Sequence, residues 1–151
     1  MKKVLFFTVL LAFSTIFACN KDKKQAKEDH NLIVADLAEK GLTATEDPSG
    51  IFYIIDVPGN DLHPDINSTV KVSYKGALLD GLVFDQTAPG KTIEFPLSNL
   101  IEGWQIAIPL LGKGGHGKFW IPSELGYGSR ATGQIPAHSV LVFEITLSDF
   151  H

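Results

Sequence analysis

Six aromatic side chains and one acid stand in an ordered scatter through the C-terminal two-thirds of the chain: Tyr74, Phe84 followed at once by Asp85, Phe95, Trp104, Tyr127 and Phe143. Rings carry large apolar area, and Tyr and Trp add a polar handle. Gathered in one place they would line a water-poor cavity with a single carboxylate among them. The chemistry open to such a set is that of shape and desolvation, not of bond cleavage. No Ser/His/Asp arrangement stands in recognisable context, and the single thiol, Cys19, lies in an apolar N-terminal segment. Five histidines without a second cysteine offer no zinc spacing, so neither a metal nor another cofactor is expected. Taken singly, each ring would be ordinary core and Asp85 an ordinary turn or surface acid. Only elements that bring them together would make a site of them.

Those elements read as strands around one short helix. Asp47-Pro48-Ser49-Gly50 is a turn signal, and Ile51 to Val57 has the β-branched and aromatic content of a strand closed by Pro58-Gly59-Asn60. Val70, Val72 and Tyr74 alternate with Lys71, Ser73 and Lys75, which leaves one apolar face. Asp80-Gly81 sets a tight hairpin between Leu79 and Leu82. Leu141, Phe143, Ile145 and Leu147 alternate with Val142, Glu144, Thr146 and Ser148 as a half-buried final strand. One helix is expected inside the domain, from Ile101 to Ile108, stopped by Pro109. Gly112, Gly114, Gly115 and Gly117 lack the Lys-Ser/Thr ending and the following helix of a phosphate loop, so they read as a turn into the strand-like KFWI. The fold class is α+β with an antiparallel sheet.

The chain has 151 residues, 44% of them hydrophobic, enough for one domain with a short extension. Its net charge of −4 offers no basic face for a nucleic acid. Residues 1–18 read as an export signal: Lys2 and Lys3, an apolar run from Val4 to Leu11 too short to span a bilayer, then Ala18 before Cys19. This resembles the lipobox of bacterial lipoproteins, with Cys19 as the lipidated residue anchoring the chain to a membrane. Neither Asn20 nor Lys21 is the acid that retains some lipoproteins in the inner membrane, so the expected location is the outer membrane, facing the periplasm. Residues 19–30, charged and nearly without apolar side chains, read as a flexible tether. Residues 31–48 read as a short helical extension: Asn31 caps a helix from Leu32 to Lys40, Gly41 ends it, and Ile33/Leu37 pair at i,i+4. Residues 49–151 form the domain itself.

In order and spacing, the phrases VKVSYKGALLDGLVFD, FPLSNLIEGW, IPSELGYG and IPAHSVLVFEITL closely resemble the FKBP-type peptidyl-prolyl cis-trans isomerases, from about Asn67 to the C-terminus. The resemblance implies a curved antiparallel sheet wrapped around one short helix, with a ligand pocket between them. It implies Trp104 as the floor beneath a proline ring, with Tyr74, Phe84, Phe95 and Phe143 as walls. Backbone groups of Leu100 and Ile101 would hydrogen-bond an extended ligand. The Tyr127 hydroxyl would bind a ligand carbonyl, Ile135 would form an apolar lip, and Asp85 would be the polar member. Asp85, Tyr127, Trp104 and Phe143 are the catalytic candidates; Tyr74, Phe84, Phe95, Leu100, Ile101 and Ile135 are the substrate-binding ones.

An X-Pro bond turns over a barrier of about 20 kcal/mol without any bond being broken. The twisted amide has lost resonance and carries less charge separation than the planar one. An apolar pocket therefore penalises the planar form more and lowers the barrier. Each tenfold acceleration needs only about 1.4 kcal/mol. The implied partners are proline-containing polypeptides exported from the cytoplasm, with macrolide immunosuppressants as inhibitors. Two other readings are a non-catalytic proline-segment binder or holdase and a structural lipoprotein spacer; the retained Asp85, Tyr127 and Trp104 favour the enzyme. Two departures bear on specificity: Ile93 stands where many members place a phenylalanine, and QTAPGKTIE is short and lacks an arginine. Gln134 is polar where an apolar lip is common. His138 reads as a loop-orienting residue. The stretch from Cys19 to Asp47 is too short for the long helices through which larger relatives dimerise, so a monomer is expected.

Overall fold

The computed structural model describes residues 23–151; the expected signal segment and Cys19 lie outside them. A helix over residues 23–39 (α1) precedes a seven-stranded sheet built from β1 (Thr45–Glu46), β2 (Phe52–Val57), β3 (Thr69–Leu78), β4 (Val83–Gln86), β5 (Ile93–Pro96), β6 (His116–Ile121) and β7 (Leu141–Phe150). A six-residue helix, α2 (Glu102–Ala107), is continued by a 3-10 turn over Ile108–Leu110, where Pro109 ends the α-helical ladder. Every strand pair is antiparallel, in the order β1-β2-β6-β7-β3-β4, with β5 also paired to β3. The register shifts at Ile55/Val57, Lys71/Val72 and Gly76/Ala77, and irregularities of this kind bend and twist a sheet. The expected Asp80-Gly81 hairpin is present: Gly81 takes a positive φ of 89° and Leu78 N–H donates to the Leu82 carbonyl at 2.9 Å.

Strand alternation sorts the side chains onto two faces. Leu141, Phe143, Ile145 and Leu147 of β7 join Phe119 and Ile121 of β6, Val70 and Val72 of β3, and Trp104, Ala107 and Ile108 in the main core. Their neighbours Val142, Trp120 and Phe52 point the other way and meet Ile33 and Leu37 of α1 in a second cluster. The sheet is therefore covered by α2 on one face and α1 on the other. Gly103 is what lets α2 lie so close: a Cβ there would stand 2.3 Å from Ile121 Cγ2.

The N-terminal boundary differs from the sequence reading. Residues 23–30 are helical and continuous with 31–39, so Asn31 is interior to the helix and not its cap. The packing face of α1 is completed by acids that composition counts as solvated. Asp29, fully buried, accepts a 2.7 Å hydrogen bond from Gln25 Nε2 and another of 2.7 Å from the Ser123 backbone N–H. Asp36, 8% exposed, accepts from Trp120 Nε1 at 2.8 Å and from Lys40 Nζ. Because each carboxylate is paired, its burial is compatible with a folded helix. The far end matches expectation: Gly41, at φ 62°, donates to the Ala38 carbonyl while Leu42 N–H donates to Leu37, the double bond of a glycine-terminated helix. No helix among the described residues is long and apolar enough to cross a membrane.

Candidate active site

A cavity of about 330 Å³ opens between the sheet and α2. Nine of the ten residues expected at the site line it: Tyr74, Phe84, Asp85, Phe95, Leu100, Ile101, Trp104, Tyr127 and Phe143. Trp104, 4% exposed, is the hub of the rings. It meets Tyr74, Phe143 and Phe95 edge to face, with centroids 5.0, 5.2 and 6.4 Å away and planes within a few degrees of perpendicular. Phe84 stands edge-on to Phe143 at 5.6 Å. The rings are held in place by neighbouring ladders: Tyr74 faces Ile145 across β3/β7, Gly76 faces Phe143 in the same ladder, and Phe119 faces Phe143 across β6/β7. Tyr74 is further fixed by Thr87, whose Oγ1 accepts from Tyr74 N–H at 3.1 Å and whose own N–H donates to the Tyr74 carbonyl.

The polar elements sit at the mouth. The Tyr74 hydroxyl donates to Asp85 Oδ2 at 2.5 Å. Burial, together with that carboxylate and the nearby Tyr127, pushes the Tyr74 phenol well above its ordinary pKa, so it stays a neutral donor. Tyr127, 38% exposed, stands at the rim, and its hydroxyl has no hydrogen bond among the described residues. The backbone N–H of Ile101 is likewise without a partner among them, whereas the Leu100 carbonyl already accepts from Gln105 Nε2 at 2.7 Å. Of the two backbone positions expected to meet a ligand, Ile101 is thus the one with a free donor. At the floor, Trp104 Nε1 is buried without a hydrogen-bond partner.

Ile135 is the exception among the expected site residues. It is 5% exposed and packs in the main core instead of forming a lip. The reason is local: Thr132 and Ile135 exchange two backbone hydrogen bonds of 2.9 Å, and this narrow loop turns the isoleucine inward. Two contributors escaped the sequence reading. Asn99 lines the cavity. Gly76 makes room for it, since a Cβ there would lie 2.7 Å from ring atoms of both Phe84 and Phe143; only the period-2 alternation of β3, which places residue 76 on the same face as Tyr74, could have flagged it. Ile93 is 42% exposed and does not line the cavity. His138 has a positive φ of 59° and its N–H donates to the Gly128 carbonyl at 2.7 Å, so it shapes the loop next to Tyr127. The glycines from 112 to 117 form the turn into β6, with Gly115 N–H donating to Gly112 at 2.8 Å.

Rings at this density with one tethered acid, one free hydroxyl and one free backbone N–H can exclude water from an apolar ring while holding a flanking carbonyl. Among the described residues no group of three or more His, Cys, Asp or Glu side chains could hold a metal ion.

Comparison with known proteins agrees with this geometry. A family model described as FKBP-type peptidyl-prolyl cis-trans isomerase matches residues 61–148. The chain is similar to the FKBP-type peptidyl-prolyl cis-trans isomerase FkpA of Aeromonas hydrophila, 37% identical over 122 residues that cover 80% of this chain and 45% of the relative. Among solved structures it is similar to a peptidyl-prolyl cis-trans isomerase from Pseudomonas syringae pv. tomato, with a TM-score of 0.72 and 32% identity over 85% of this chain and 94% of that one. It is also similar to FkpA from Escherichia coli, with a TM-score of 0.70 and 29% identity over 99% of this chain and 73% of that one. The chain spans about half the length of the curated relatives it matches. With the family's match covering more than half of its residues and the expected rings gathered around Trp104, the chain belongs to the FKBP-type peptidyl-prolyl cis-trans isomerase family.

Proposed function

We propose that the chain accelerates cis-trans rotation of X-Pro bonds in exported proteins, by desolvation in the aromatic cavity and without covalent catalysis. The observation that carries this reading is the ring cluster around Trp104, with Asp85 tied to Tyr74 and with Tyr127 and the Ile101 N–H left unpaired at its mouth. A proline ring enters the apolar space, the two free donors take substrate carbonyls other than that of the rotating imide, and loss of water raises the planar amide relative to the twisted one. No nucleophile is required, because no bond is made or broken. Tyr74 keeps Asp85 in a fixed orientation beside the rotating imide.

The test is a coupled isomerase assay on a short Ala-Leu-Pro-Phe-type peptide, with and without a rapamycin-like macrolide. Acceleration that the macrolide suppresses supports the reading. Macrolide binding without acceleration makes the domain a proline-segment binder; neither binding nor acceleration removes the site altogether. The chain is further read as lipid-anchored at Cys19 to the outer membrane and facing the periplasm, a reading supported by Lys2, Lys3, the apolar run after them and Ala18-Cys19. Cys19→Ser should release the protein from the membrane fraction, and a variant that stays bound removes the anchor.

A further inference from the structure

We propose that Asp29 on α1 is a positioning residue for Tyr127, so that the N-terminal helix is a working part of the site on the opposite side of the sheet. This rests on the isomerase reading above. Asp29 and Ser123 are 94 positions apart, yet the fully buried carboxylate accepts the Ser123 N–H at 2.7 Å. That N–H opens the 3-10 turn Ser123–Leu125 and has no acceptor within the turn itself. The Ser123 carbonyl in turn accepts from Gly126 N–H at 3.0 Å and from Gly128 N–H at 2.7 Å, the two residues that flank Tyr127. Gly128 then accepts from His138 N–H at 2.7 Å, which ties in the following loop. The chain of contacts thus runs from α1 through Ser123 to both sides of Tyr127. Gln25 Nε2, at 2.7 Å from the other carboxylate oxygen, fixes the orientation of Asp29.

The position of Tyr127 makes the link consequential. Its ring is at the rim and its hydroxyl has no partner of its own among the described residues, so the backbone on either side determines where it stands. A packing role for Asp29 would need only an apolar side chain at this buried position. A carboxylate aimed at one backbone N–H specifies the geometry of that loop instead.

The experiment uses the chain with its α1 intact and compares wild type, Asp29→Ala, Asp29→Asn, Tyr127→Phe and the Asp29→Ala/Tyr127→Phe double variant. Amide hydrogen exchange in Asp29→Ala should quicken about tenfold at Gly126, Gly128 and His138 while amides paired between β3 and β7 keep wild-type rates. In the isomerase assay Asp29→Ala should lower kcat/KM about fivefold, and the double variant should be no slower than Tyr127→Phe alone. Asp29→Asn, which can still accept from Ser123, should return to within about twofold of wild type. Unchanged exchange at the three loop amides, uniform quickening across the sheet, or additive losses in the double variant would each overturn the proposal. If Asp29→Ala does not fold, Asp29→Val, closer to aspartate in volume and equally without an acceptor, is read in the same way. Should the wild type lack isomerase activity, the proposed function fails, while the exchange rates still decide the role of Asp29.

Discussion

Tyr74 and Asp85, on adjacent antiparallel strands, share a hydrogen bond of 2.5 Å at the mouth of the aromatic cavity. The phenol is the donor, and burial reinforced by the carboxylate holds it neutral far past the pH at which a free tyrosine ionises. In the unfolded chain the same phenol ionises near 10. Above that pH the unfolded state loses a proton that the folded state keeps, so stability falls as pH rises. Denaturant midpoints of the wild type should therefore decline above about pH 10, and Tyr74→Phe should decline less steeply over the same range. Equal slopes for the two proteins would contradict the buried, neutral phenol.

Asp85 and Tyr127 should each matter for rate but not for fold, since both are exposed side chains outside the main core. A hydrogen bond of ordinary strength contributes about 0.5–1.5 kcal/mol, which corresponds to a loss of about 2- to 12-fold in kcat/KM. Purified Asp85→Ala and Tyr127→Phe should show such losses with unchanged circular dichroism. Wild-type rates in both would remove these residues from the mechanism.

Gly76 is the residue on which the cavity's width depends. A methyl group there would stand 2.7 Å from both Phe84 and Phe143, and neither ring can withdraw without leaving its contact with the other or with Trp104. Gly76→Ala should destabilise the domain by about 1–3 kcal/mol in a urea titration and raise KM for the peptide. An unaltered KM would show that the rings can yield freely.

Asp36 offers a control remote from the cavity. Among the described residues it alone accepts from the buried Trp120 indole N–H, and its removal leaves that donor unsatisfied. Asp36→Ala should lower stability by about 1–3 kcal/mol, with kcat/KM of the folded protein unchanged. A matching loss of activity would show that α1 communicates with the site through Trp120 as well as through Asp29.

Much of this molecule was legible in the chain because strands and turns advertise themselves locally. The alternation from Leu141 to Ser148, the Asp80-Gly81 hairpin and the short helix before Pro109 each follow from side chains within a few positions of one another, and all three stand in the structure. The gathering of Tyr74, Phe84, Asp85, Phe95, Trp104, Tyr127 and Phe143 was expected from linked phrases resembling a known family, and it is present. What local pattern could not express was pairing over distance. The charged run before Asn31 has the composition of a solvated tether, yet its residues 23–30 are helical and Asp29 among them meets Ser123, 94 positions away. Ile135 resembled a pocket lip, and a two-residue backbone exchange with Thr132 turned it into core. Gly76 carried no chemical signal at all, since the reason for it is the space two distant rings require. Hydrophobic period and turn chemistry are properties of neighbours along the chain, and so the sequence determines them by itself. The burial of a carboxylate, the direction of a loop side chain and the clearance between rings depend on partners that only the closed sheet brings within reach.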